Sequence, residues 1–273
     1  MIRRRENVLG YALVSVVSLT ALLPIIGVLI LGLGPQSNDS GTLSLTSATH
    51  PSNFSAAWSS AGFGPAMRTS AIITVATVVI SVILSVPAGY AFAMMRFRGR
   101  SVLFYLMVFG LLIPIEAILI PLYFDLRSVN LADNYWSVIL PDVAFSVAFG
   151  AFWMRAFFMT SARSLVEAAR LDGANSLRTL WHVLLPLARP QVTTLAVLFF
   201  VWNWNDFLLP LVMLSGSSLQ TAPISLVFFE SQHTTNYTYL AAGSIITMAP
   251  VVIIYVLLQR SFTRGMLAGA IKE

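Results

Sequence analysis

Six stretches of the chain are nearly unbroken apolar sequence, at residues 8–33, 70–95, 101–124, 136–160, 191–214 and 240–260. A helix needs about 20 apolar residues to cross some 30 Å of hydrocarbon. Each stretch therefore predicts a transmembrane helix, and together they predict an all-α, polytopic membrane protein. The polar segments between them are short. Residues 34–66 and 215–239, the latter around Gln232, His233 and Asn236, are too small for separate folded domains, so 1–273 reads as a single transmembrane domain. The first stretch is longer than a signal-peptide core and no small-residue cleavage site follows, so it is expected to remain as an anchor. Prolines 24, 87, 114, 121, 210 and 250 interrupt the spans. Each frees a carbonyl that another group must satisfy. Two readings are open: ordinary packing irregularity, or bent helices framing a pathway.

Composition agrees with a lipid setting. Hydrophobic residues make up 57% and charged residues 10%, where a soluble domain carries about 25% charged residues. The mean hydropathy is +0.81. Basic residues carry the orientation, because cytoplasmic loops retain Lys and Arg. Six spans with both termini in the cytoplasm put fourteen basic residues inside, among them Arg3, Arg4, Arg5, Arg96, Arg98, Arg100, Arg170 and Lys272, and leave only Arg68 and Arg127 outside. The net charge of +5 is then orientation signal and contact with anionic membrane lipid, with no call for nucleic acid.

Several chemistries are missing. The sole lysine, Lys272, precedes Glu273, so no GxxxxGK[ST] phosphate loop exists and this chain cannot hydrolyse ATP by that route. There is no Cys, and His50, His182 and His233 are scattered, so no catalytic residues and no metal site are expected. Asn38, Asn53 and Asn236 begin N-x-[ST] matches that we treat as chance.

The loop at 161–190 is patterned like an ordered element. Ser164-Leu165-Val166-Glu167 fits a capping box that starts a short helix, and Gly173 is placed to end it in a left-handed conformation. Asn175 or Ser176 can cap a second helix, with Leu177, Leu180, Trp181 and Leu184 as one apolar stripe and Arg178 and His182 on another face. Pro186 and Pro190 are expected to end it before the fifth span. Two short helices with small alanines exposed describe either a knob that fits a groove on another protein or an amphipathic hairpin resting on headgroups.

In this loop Glu167-Ala168-Ala169, three residues, Gly173, nine residues, Val183, one residue and Leu185-Pro186 resemble the EAA loop of permease subunits of bacterial binding-protein-dependent ABC importers, with Val183 where the pattern usually has Ile. Four further stretches resemble the carbohydrate, maltose-permease-like branch. They are Ala88 to Ala93 leading to Arg96 to Arg100, Ile113-Pro114 to Tyr123, Trp204-Asn205-Asp206-Phe207 to Leu211, and Gly265 to Lys272. The resemblance implies a type I importer permease fold in the bacterial inner membrane, with no enzymatic activity and no cofactor on this chain. It also implies a second homologous permease, two copies of an ABC ATPase carrying ATP and Mg, and an extracytoplasmic solute-binding protein. Glu167, Ala168, Ala169, Asp172, Gly173, Leu185 and Pro186 would couple the chain to the ATPase.

The polar residues inside the spans are the candidates for a pathway. Glu116 and Asp206 each lie about 15 residues into outward-running spans, and at about 1.5 Å per residue both sit towards the outer leaflet. Asn203 shares the Asp206 face, Trp202 lies one turn below, and Asn205 adjoins them. Intramembrane charges are costly and face a cavity or a partner. Carboxylate and amide acceptors beside an aromatic face suit a sugar, and two acids with few bases argue against an anionic solute. The same acids equally fit simple satisfaction by carbonyls freed near Pro114 and Pro210, or by the partner permease. The expected function is translocation of a sugar or sugar-like solute by alternating access. The alternatives are an ABC permease for another polar solute, or a proton-coupled transporter using Glu116 and Asp206, against which the lack of inverted repeats counts.

Overall fold

The computed structural model describes residues 2–35, 49–161, 163–230 and 235–270, with side chains for 10–35, 49–160, 165–230 and 235–260. The side chains of Arg3, Arg4, Arg5, Ser164 and Gly265 to Ala270, and the residues Asn38, Gln232, His233, Ile271 and Lys272, lie outside these. The described chain is almost wholly helical, and it divides into two compact units.

The first unit comprises Met1–Ala66 and Ala222–Ala249. Its long helix α1 (Ile2–Gly32) keeps its apolar side chains, Leu13, Val17 and Leu23 among them, on the outside, as lipid-facing sequence does. The end of α1 is anchored by polar groups. Asn53, fully buried on α2 (Ser52–Ser60), donates from Nδ2 to the carbonyls of Gly32 at 3.0 Å and Gly34 at 2.8 Å. The Gly32 carbonyl is among the four that every helix end leaves without an intrahelical partner, and Gly34 lies just beyond the end. The Asn53 match is thus a structural cap, and Asn236 likewise caps the last helix by accepting the Tyr239 amide at 3.0 Å.

The second unit comprises Met67–Thr221 and Pro250–Glu273. Most of it is formed by α3 (Phe63–Met94), α4 (Arg100–Gly110), α5 (Ile115–Ser128), α6 (Tyr135–Ser161), α7 (Arg163–Leu171), α8 (Ser176–Arg178), α9 (Leu185–Trp204) and α10 (Leu208–Met213). A short helix α11 (Ala222–Ser225) and the long α12 (Tyr237–Ala270) follow in the chain. Among the described residues, five helices are long and apolar enough to span a bilayer, or six when the bent pair α4 and α5 counts as one span.

Two expectations about the spans are corrected. The third is not straight: its halves meet at 98° across residues 111–114. Pro114 adopts φ −65°, ψ 128° there, since proline has no amide to continue the ladder and disfavours helix in the residue before it. The fifth breaks between Trp204 and Leu208. Depths reckoned along straight helices therefore do not hold for Glu116 or Asp206.

Two apolar clusters hold the unit. Val86, Tyr90, Met154, Phe158, Leu184, Leu195 and Phe199 join α3, α6 and α9. Ile73, Leu119, Val138, Ile139, Leu209 and Met213 join α3, α5, α6 and α10. Lipid is as apolar as leucine, so such helices associate through close packing at small residues. At the α3–α6 crossing a Cβ on Gly89 would stand 2.5 Å from Met154 Cβ and 2.9 Å from the Arg155 amide nitrogen. Arg155 itself lies over the Phe104 ring at 4.0 Å and donates from Nε to the Phe92 carbonyl at 3.3 Å, which satisfies a charge deep in an apolar helix. Gly89→Leu should cost about 3 kcal/mol and lower the melting temperature by about 6 °C or more. Gly110→Leu, where a Cβ meets nothing within 4 Å, should change little. Heat-step size exclusion of the two variants checks this; equal melting temperatures would contradict the crossing.

Candidate coupling loop and translocation cavity

Helix α7 ends as the glycine spacing predicts. Gly173 takes φ +79°, its amide bonds to the Arg170 carbonyl at 3.0 Å, and the Ala174 amide reaches the Ala169 carbonyl at 2.9 Å. This pair of bonds is the Schellman arrangement, which requires a left-handed residue and so favours glycine. Asn175 then caps the next turn by accepting the Arg178 amide on Oδ1 at 2.8 Å.

The expected apolar stripe is split. Leu180 and Leu184 are buried, while Leu177 is 67% and Trp181 51% exposed. The cause is a π-turn over Thr179–Leu184, in which the Leu185 amide bonds to the Leu180 carbonyl five residues back. The wider turn shifts the faces that a 3.6-residue period assigns. It also corrects the role given to the prolines, since α9 runs on through Pro186 and Pro190 instead of stopping. Pro186 has no amide, and its ring would strike a carbonyl one regular turn back; the extra residue of the π-turn removes that conflict.

Among the coupling candidates, Glu167, Ala168, Asp172, Gly173 and Pro186 are exposed, Leu185 is half-buried and Ala169 is buried. Ala169 packs inward beside Val166, so the outward face belongs to Glu167, Ala168 and Leu171. Val166 joins Leu180 and Leu184 in the apolar cluster, which fixes the helix pair to the bundle. An open groove of about 1050 Å³ lies beside it, lined among others by Glu167, Arg96, Arg100 and Arg170. The spacing of the motif did not point to these three arginines; their clustering on short polar turns was the available signal.

The pathway candidates separate into two groups. A cavity of about 450 Å³ is lined by Trp202, Asn203 and Asp206. Asn205 is exposed and turns back to its own helix, donating to the Val201 carbonyl at 2.7 Å. Glu116 is exposed on the first turn of α5, outside the cavity lining but within electrostatic reach of Asp206. The Asp206 carboxylate faces the backbone amides of Leu209, Phe207 and Leu208, which open α10 after the break. Asn203 donates to the Phe199 carbonyl at 2.7 Å, and Trp202 packs edge-on against Phe149 at 4.9 Å.

Sequence reasoning missed Asp142. It follows Pro141 in α6, is 8% exposed, lines the same cavity with Ser146, and lies within electrostatic reach of Asp206. A lone carboxylate in the fourth apolar stretch was the signal.

Long apolar helices, bent around a small and largely apolar cavity that holds two acids, with an ordered polar helix pair beside them, suit a multi-pass membrane transport subunit. Residues 82–268 match the family described as binding-protein-dependent transport system inner membrane component, and the chain belongs to it. It is similar to the probable ABC transporter permease protein YurM of Bacillus subtilis (33% identical, 84% of this chain and 76% of that protein). It is also similar to the arabinooligosaccharides transport system permease protein AraQ of Halalkalibacterium halodurans (34%, 73% and 71%). A crystal structure of a bacterial ABC transporter involved in the import of the acidic polysaccharide alginate contains a chain of the same fold, with TM-score 0.75, 26% identity, and 95% and 97% covered. The chain is therefore an ABC importer permease of the inner membrane, a transport subunit and not an enzyme, from a family that works with an ATPase and a substrate-binding protein.

A Cβ at Gly173 meets nothing within 4 Å, so substitution there tests conformation alone. Gly173→Ala should destabilise the end of α7 by about 1 kcal/mol, and Gly173→Asn by less. Hydrogen exchange over residues 165–175 measures both; equal protection in Gly173→Ala and the parent would refute the left-handed cap.

Proposed function

We propose that this permease translocates a sugar or sugar-like solute by alternating access, paired with a second homologous permease and two copies of the ATPase. ATP and Mg belong to the ATPase, and this chain holds no cofactor. The observation that carries the reading is the rigid, outward-facing turn of Glu167 and Ala168, closed by left-handed Gly173 and lying inside the matched family region. Asp172 and Gly173 shape its tip, while Leu185 and Pro186 lead from it into α9, so a push on the knob is passed directly to a helix that lines the cavity. A cytoplasmic position for both termini is supported by the fourteen-to-two division of basic residues.

Sugar as the solute class is supported by relatives named for arabinooligosaccharides and alginate, and by the Trp202, Asn203 and Asp206 lining. Family membership favours ATP over a proton gradient as the energy source. Those two relatives differ in substrate charge, so the charge preference must come from each chain's own cavity.

Ala168→Arg, on the exposed face, should insert normally yet reduce recovery of the ATPase in affinity purification by about tenfold, a loss of about 1.4 kcal/mol in binding. Solute uptake should fall in parallel. Wild-type recovery and uptake in this variant would refute the docking face.

A further inference from the structure

Asp142 is a buried acid whose Oδ2 has no hydrogen-bond partner among the described residues. It lines the cavity of about 450 Å³ with Asp206, Ser146, Asn203 and Trp202, and that lining contains no Arg, Lys or His. The two acids are not equivalent. Asp206 faces the backbone amides that open α10, which answer much of its charge. Asp142 lies within α6, where the helix has already used its own amides, so its Oδ2, shielded from solvent, is left unanswered at the cavity wall. An acceptor held in an apolar bundle is costly unless a donor reaches it. Trp202, about half exposed, presents an aromatic wall beside it.

Resting on the solute reading above, we infer that this cavity is a subsite for neutral or cationic solutes, in which Asp142 accepts a hydrogen bond from a hydroxyl or ammonium group, and that it turns anionic solutes away. An anion brought beside these two acids at low dielectric is repelled, whereas a hydroxyl donor answers the Asp142 carboxyl once its side chain turns towards the solute. Aromatic walls then take the apolar face of a polyol or, for a cation, its charge. Asp142 sets the charge preference, and Asp206 holds the broken helix on which Trp202 and Asn203 sit.

The chain contains no Cys, so a single introduced thiol reports cleanly. Phe145→Cys places one on the cavity wall, and Ser146→Cys places one with little change of size. With the importer assembled in nanodiscs, each thiol is reacted with cationic trimethylammonioethyl methanethiosulfonate and with anionic sulfonatoethyl methanethiosulfonate. Modification of this chain is followed by mass spectrometry, and rates are normalised to a free thiol. The cationic reagent should be favoured by about tenfold or more, and Asp142→Asn should cut that preference at least about threefold. Equal rates, a preference unmoved by Asp142→Asn, or no reaction of either thiol with either reagent would overturn the inference. Recovery of the ATPase with the same preparations scores the function reading separately.

Discussion

In hydrocarbon no water reaches the backbone, so a helix that breaks inside a membrane protein must find partners for its freed amides and carbonyls within the protein. This chain breaks two of its spanning helices, at 111–114 and at 205–207, and an acid stands at each break: Glu116 in the first turn of α5, and Asp206 before α10. The carboxylate of Asp206 meets the amides that the break releases. At the second break, backbone satisfaction and a polar group in the cavity wall are therefore the same feature, since Asp206 serves both. The groups that make the interruption tolerable also gather polar side chains deep in the bundle.

The same constraint shapes the coupling loop. Pro186 would break the passage from the surface helix into α9, but the π-turn over Thr179–Leu184 absorbs the conflict and leaves a continuous helical path from Ser176 to Trp204. That path ends at the cavity. On the proposed docking, a displacement of the Glu167–Gly173 turn would pass through Leu180 and Leu184, which share an apolar cluster with Val166, into the helix bearing Trp202 and Asn203. The chain contributes an ordered surface turn and a cavity, and its family works with an ATPase.

Much of this was legible in the residues. Apolar runs revealed the spans because composition alone decides what lipid accepts, and Gly173 revealed its left-handed turn because few other residues adopt one. What escaped had a common cause, the assumption of uniform helices. Reckoning depth at a constant rise hid the bend at Pro114 and the break after Trp204. A 3.6-residue stripe placed Leu177 and Trp181 beside Leu180 and Leu184, where the π-turn separates them. Asp142 was hidden by its neighbourhood, since one acid in a long apolar stretch has no pattern of its own and acquires meaning only when α9 and its broken end pack beside α6. Ala169 shows the limit of a motif: the resemblance marks three adjacent residues, and the helix turns the last of them inward.

The central claim is that the turn of Glu167 and Ala168 is the face presented to the ATPase. It is tested most directly by a photo-reactive phenylalanine placed singly at 167, 168 and 169 in the assembled importer. Docking through this face predicts adducts with the ATPase from 167 and 168, and an internal adduct or none from 169. Adducts with the ATPase from 169 alone, or from none of the three, would contradict it.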